Sequence, residues 1–132
     1  MTDPRTGLTV VHRRYVPWSH AHYGGALVDG AYGLGLFGDA ATELCIRSDG
    51  DEGLFAAYSE VHFLAPVRAG DCVEVTATLT RVGTRSRTIE FRLVVVTRSR
   101  PDLGDSAAEV LADPVLATTA TGVVVVPAGR PG

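Results

Sequence analysis

Lysine is absent from this 132-residue sequence; all twelve basic residues are arginine. Schiff-base lysine chemistry is therefore closed to it. Cysteine is scarce: Cys45 and Cys72 are the only two, and they fit neither a metal spacing nor a C-x-x-C redox pair. Two buried thiols in a reducing compartment are expected. Long apolar runs are missing as well. Runs such as residues 123–126 fall far short of the ~20 residues that span a bilayer. Residues 1–7 are polar and do not read as a secretory leader, so a cytoplasmic protein without a membrane partner is expected. Charge is modest: 20% of residues are charged and the net charge is −3. That balance argues against nucleic-acid or anionic-membrane binding, which need basic surface. It leaves room for one anionic ligand held by a few arginines.

Apolar residues make up 45% of the chain, enough for a buried core. The length suits one domain, here expected over residues 1–132 with an ordered core at about 8–127. The first seven residues read as a loose arm. Residues 8–16 read as a strand stopped by Pro17, which has no amide hydrogen to give a ladder. Residues 27–47 read as one long helix, because Leu27, Val28, Ala31, Leu34, Phe37, Ala41, Leu44 and Cys45 recur at helical spacing. Gly30, Gly33, Gly35 and Gly38 weaken that helix by about 1 kcal/mol each relative to alanine, and close packing on a sheet is their expected reason.

The run Asp49-Gly50-Asp51-Glu52-Gly53 predicts a turn, and strands follow at residues 54–64, 72–82, 86–98 and 116–126. Residues 100–114 read as a polar loop and 128–132 as a tail. Strand, long helix, then four strands is an α+β layout, one helix backed by a curled antiparallel sheet. One helix leaves a sheet face uncovered, so burial by a second subunit is expected.

Four segments carry a closer likeness: His20-Ala21-His22-Tyr23-Gly24-Gly25-Ala26-Leu27-Val28-Asp29-Gly30-Ala31 ahead of and into the helix, Phe37-Gly38-Asp39-Ala40-Ala41-Thr42-Glu43-Leu44 at its centre, Asp49-Gly50-Asp51-Glu52-Gly53-Leu54-Phe55-Ala56-Ala57-Tyr58 beyond it, and Glu60-Val61-His62-Phe63-Leu64-Ala65-Pro66-Val67-Arg68-Ala69-Gly70-Asp71. Together they resemble the acyl-CoA ammonia-lyases of the hotdog superfamily, the 3-aminobutyryl-CoA and β-alanyl-CoA ammonia-lyases, across roughly residues 8–126. His20 departs from the pattern, standing where an acidic residue is expected. The resemblance implies a hotdog fold, a sheet wrapped around a central helix. It implies reversible elimination of ammonia from a β-aminoacyl-CoA, with CoA as part of the substrate and no separate cofactor or metal. It also implies a homodimer or larger homo-oligomer with active sites at subunit interfaces. A hotdog acyl-CoA thioesterase, a hydratase and a non-catalytic acyl-CoA binding module are the alternatives.

Elimination needs a base for the α-proton, a cradle for the enolate charge and a group that manages the leaving amine. Asp39 and Glu43 stand i,i+4 on one helix face with Tyr32 and Leu36. They are the candidate acid and base, in either order; at an interface one carboxyl is expected to rise in pKa and the other to stay low. Gly24 and Gly25 are the candidate thioester cradle, with backbone amides close to a helix N-terminus. His22 and Tyr23 flank them as candidate donors to the carbonyl or orienters of the amine, and Asp29 is expected to support the helix start. The hairpin turn Gly83-Thr84-Arg85-Ser86, with Arg87, is the candidate CoA site, its guanidinium groups suited to phosphate. Arg98 and Arg100 are weaker candidates for the same task.

Overall fold

The computed structural model describes residues 2–128. Beyond Ala128, the expected tail lies outside them. The elements are β1 (Thr9–Tyr15), short 3₁₀ turns at Trp18–His20 and Gly24–Ala26, α1 (Gly30–Asp49), β2 (Leu54–Phe63), β3 (Cys72–Val82), β4 (Ser86–Ser99) and β5 (Ala108–Val125). The strands form one sheet in the order β1-β3-β4-β5-β2, antiparallel throughout. No helix among the described residues is long and apolar enough to cross a membrane.

Period-2 alternation sets the sheet's two faces. Val73, Val75, Ala77 and Leu79 of β3 are buried, as are Ile89, Phe91, Leu93 and Val95 of β4. They meet Phe37, Ala40, Ala41, Leu44 and Cys45 of α1 in one core, where the Phe37 and Phe91 rings stack 4.9 Å apart. Burial pushes the Cys45 thiol up to about 11. Cys72, expected to be buried, is only half-buried. The opposite sheet face is polar, carrying Thr76, Thr78, Glu90, Arg92, Thr119 and Thr121. Threonines and charged groups there are compatible with water and equally with the covering subunit that the layout leads one to expect.

The helix begins three residues later than its apolar periodicity suggests. Asp29 is its N-cap, the Oδ1 accepting the Tyr32 amide hydrogen at 3.0 Å, so the carboxylate supports the helix start as expected. Leu27 and Val28 are not helical; Leu27 bridges to Tyr23 and Arg68 and the Val28 amide donates to the Val67 carbonyl. At the far end Gly50, with φ 67°, is the left-handed C-cap and its amide donates to the Ile46 carbonyl. Close packing accounts for only two helical glycines. A Cβ on Gly30 would strike the Phe63 ring and one on Gly33 would touch Leu93, whereas Gly35 and Gly38 face open space.

Two further expectations change. The loop read at residues 100–114 is half strand, since β5 starts at Ala108. Pro114 misleads there because it lies in an irregularity between the pairs Thr97↔Val110 and Val95↔Val115, where a missing amide hydrogen costs no ladder bond. The first residues are not loose. The Arg5 guanidinium binds Asp3 and, at 2.7 Å, the Asp49 Oδ1, holding the Asp3 carboxyl down at about 2. The Gly7 amide donates to the Leu79 carbonyl.

Candidate active site

α1 carries the candidate carboxylates, and β1 lies against the face that bears them. Val10, His12 and Arg14 share one phase of β1, which turns toward the helix. His12 Nε2 is 2.8 Å from Glu43 Oε1, and Arg14 Nε donates to the Tyr32 hydroxyl at 2.9 Å. Arg47 Nε donates to the other Glu43 oxygen at 2.7 Å. Arg47 and His12 together hold the Glu43 carboxyl below its ordinary value. Asp39 is exposed and its carboxylate makes no hydrogen bond among the described residues. It opens onto a shallow hollow shared with His12, Arg14 and Leu36.

At the N-terminal end of α1, the segment from His22 to Val28 is stapled down. The Leu27 carbonyl accepts the His22 and Tyr23 amides, and the Ala26 carbonyl accepts the Ala69 amide. Gly25 and Ala26 are both left-handed, with φ 74° and 61°. For alanine that conformation is strained and persists only when its surroundings over-determine it. Four residues separate Gly25 from α1, so its amide is not part of the helix N-terminus; this corrects the expected placement. Gly24 and Gly25 are exposed, with nothing within 4 Å of where a side chain would begin. The His22 and Tyr23 rings meet edge to face, 4.6 Å apart, and His22 Nδ1 stands 3.8 Å from Asp29 Oδ2.

Beneath the first turns of α1 lies a cavity of about 450 Å³, within the range of small-molecule sites. Gly30 and Gly33 of the helix, Leu93 and Thr118 of the sheet, and Tyr23, Asp29 and Phe63 line it. Neither Asp39 nor Glu43 lines it.

The candidate CoA turn sits at the other end of the helix. The Gly83 amide donates to the Ser86 carbonyl; Thr84 and Arg85 are exposed. Arg87, expected to reach phosphate, is buried at 4% exposure. Its Nε and Nη2 clasp both Asp49 oxygens, at 2.9 and 2.7 Å, and its Nη1 donates to the Gly83 and Ser86 carbonyls. It braces the turn from behind and has no face left for a ligand. Arg98 is likewise committed to the buried Asp71, and Arg100 to Asp102 and Glu109. With ~1.5 Å of rise per residue, the two ends of this 20-residue helix lie ~30 Å apart. One protomer therefore does not bring the Gly24–Gly25 segment, Asp39 and the Gly83–Ser86 turn into one pocket.

Sequence reasoning missed His12, Arg14 and Thr118. Each stands at an inward-facing strand position, and a polar residue in that phase was the available signal.

Residues 25–100 match the Thioesterase superfamily. The chain is 54% identical to the 3-aminobutyryl-CoA ammonia lyase of Acetoanaerobium sticklandii over 107 residues, 81% of this chain and 85% of that one. It belongs to the acyl-CoA ammonia-lyases of the thioesterase superfamily. Its fold superposes on β-alanyl-CoA:ammonia lyase from Clostridium propionicum with a TM-score of 0.86 and 36% identity, covering 92% of this chain and 86% of the other. A hexameric hotdog fold thioesterase of Campylobacter jejuni shares the fold alone, at a TM-score of 0.71 and 16% identity over 86% of this ammonia-lyase homologue and 79% of the thioesterase. The hotdog architecture implied by the sequence is the one observed.

Proposed function

We propose that this enzyme reversibly removes ammonia from a β-aminoacyl-CoA of the 3-aminobutyryl type, leaving the α,β-unsaturated acyl-CoA. The observation that carries this reading is the extensive identity to a 3-aminobutyryl-CoA ammonia lyase. In the elimination a carboxylate takes the α-proton. The electron pair moves through the enolate to form the Cα–Cβ double bond, and the Cβ–N bond breaks. The nitrogen, bound as ammonium, departs as neutral ammonia. Asp39 is the better candidate base, because its carboxylate is open, whereas both Glu43 oxygens already accept hydrogen bonds. Amides of the Gly24–Gly25 segment are suited to the enolate oxygen, since no side chain obstructs approach to that backbone. Tyr23 and His22 flank it as donors.

The same reading calls for a homodimer. Separation of the three patches along α1 is resolved if a second copy supplies one of them. The edge strand β2 is bonded only to β5 and leaves Leu54 and Phe63 exposed, as suits a subunit contact. The exposed Arg85 at the Gly83–Ser86 turn is the cation available there for CoA phosphate. The second reading is an acyl-CoA thioesterase, favoured by the superfamily match; it would aim water at the thioester carbon of the same substrate. Mass spectrometry of the protein incubated with crotonyl-CoA and ammonium, with acryloyl-CoA in parallel, separates the two. An ammonia adduct that retains CoA is the expected product; free CoA without the adduct refutes the lyase reading.

A further inference from the structure

The cavity beneath α1 holds two acceptors with unused capacity. Thr118 is buried, 5% exposed, and its hydroxyl makes no hydrogen bond among the described residues. Its Oγ1 lies 3.8 Å from where a Cβ on Gly33 would stand, so it sits close against the helix at the edge of the cavity that both residues line. Every side-chain polar atom sealed from solvent among the described residues has a partner, which leaves the cavity as the space this hydroxyl addresses. Asp29 uses Oδ1 to cap the helix. Its Oδ2 accepts no hydrogen bond, and the nearest cationic group, His22 Nδ1, stays 3.8 Å away. Around these two the walls are mostly apolar: Val28, Phe63, Leu64 and Leu93.

An unpaired hydroxyl and an open carboxylate oxygen beside an apolar wall suit a short hydrocarbon chain bearing a cation. We infer that this cavity seats the acyl end of the substrate and that Asp29 Oδ2 and the Thr118 hydroxyl grip its β-ammonium group, the base Asp39 reaching the α-carbon from a second copy of the chain. The assignment rests on the β-aminoacyl-CoA reading and adds to it a basis for selectivity. A β-hydroxyacyl group satisfies Thr118 but leaves Asp29 without a counter-charge. A β-carboxylate is repelled, and the unsaturated product has nothing to hold there, which favours its release.

Steady-state kinetics on the full-length protein test this, with 3-aminobutyryl-CoA as substrate and butyryl-CoA, which lacks the amine, as competitive inhibitor. Asp29→Asn keeps a good N-cap and removes the charge; Thr118→Val keeps the shape and removes the hydroxyl. KM for 3-aminobutyryl-CoA is expected to rise by ~10–100-fold in the first and ~3–10-fold in the second, as for lost charged and neutral hydrogen bonds. The butyryl-CoA inhibition constant is expected to stay within about twofold, since that ligand makes neither contact. If KM and the inhibition constant rise together, or neither moves, the assignment is overturned. Thr118→Val decides alone should Asp29→Asn fail to fold. If the wild type releases CoA and no ammonia, the ammonia-lyase reading falls and takes this site with it. If it releases ammonia and the ratio of the two constants is unmoved, this site alone falls.

Discussion

Arg87 Nη2 stands 2.7 Å from Asp49 Oδ1 while Arg87 Nη1 holds the Gly83 and Ser86 carbonyls, so one buried guanidinium joins the C-terminus of α1 to the β3–β4 turn. Its hydrogen bonds keep the Asp49 carboxyl below the usual range although burial pulls the other way. Asp49 keeps Arg5 and Ser48 as partners when Arg87 is removed. Arg87→Ala is therefore expected to cost about 1–3 kcal/mol, the loss of hydrogen bonds to a charged group, read as a lower urea midpoint. The loosened turn should also raise KM for acyl-CoA more than it lowers kcat. Arg85→Ala, at an exposed position on the same turn, is expected to raise KM without moving the midpoint. The effect should fade at high salt, as for a solvent-exposed phosphate contact.

Asp39 and Glu43 share a helix face but not an environment. Glu43 is clasped by His12 and Arg47; Asp39 is open. Asp39→Asn is expected to reduce kcat by ~10²–10⁴-fold, the usual reach of a lost general base, while CoA affinity by calorimetry stays within about twofold of wild type, since no binding contact is removed. Glu43→Gln should cost less activity and more stability. Equal losses in both variants would mean that the pair acts as a unit.

The strand and helix order was legible because hydrophobic periodicity is a local property: Cys72–Val82 alternates over its whole length, and the Asp39–Glu43 face is fixed by helical geometry alone. What remained hidden depends on distant partners. Arg87 and Arg85 are one residue apart from the same serine, yet only pairing with Asp49, 38 positions away, withdraws one from the surface. Leu27 continues the apolar period of α1, but the Asp29 cap overrides it. Thr118 reads as one more strand threonine until the cavity that it lines with Gly33 is seen. Residues 108–114 read as part of a polar loop because a bulge in the partnering register cannot be read from one strand.

Acid should act on Glu43 with a definite sign. Hydrogen bonds from Arg47 and His12 lower its folded pKa below the ordinary 4.5. A depressed carboxyl contributes stability above its unfolded pKa and loses it as pH falls through the folded one. Wild type and Glu43→Gln should therefore differ in urea midpoint at neutral pH and converge in acid below 4.5. A gap that persists unchanged in acid would show that the glutamine disrupts packing and that ionisation is not the source.

Tyr58 ties the edge strand β2 to the N-terminal third of α1. Its hydroxyl donates to the Leu34 carbonyl at 2.7 Å, and its ring packs on Phe55, 4.3 Å between centroids. Burial pushes its pKa up to about 12, so the phenol stays protonated across any pH at which the enzyme works. Tyr58→Phe keeps the ring and removes one neutral hydrogen bond. It leaves a helical carbonyl that retains its place in the backbone ladder, so the loss belongs near the ordinary net value, about 1 kcal/mol. Denaturant unfolding should show a lower midpoint with an unchanged m-value, since the surface exposed on unfolding is the same. A much larger loss would mean that the hydroxyl fixes the position of β2 against the helix, and the cavity wall formed by Phe63 at the end of that strand would shift with it.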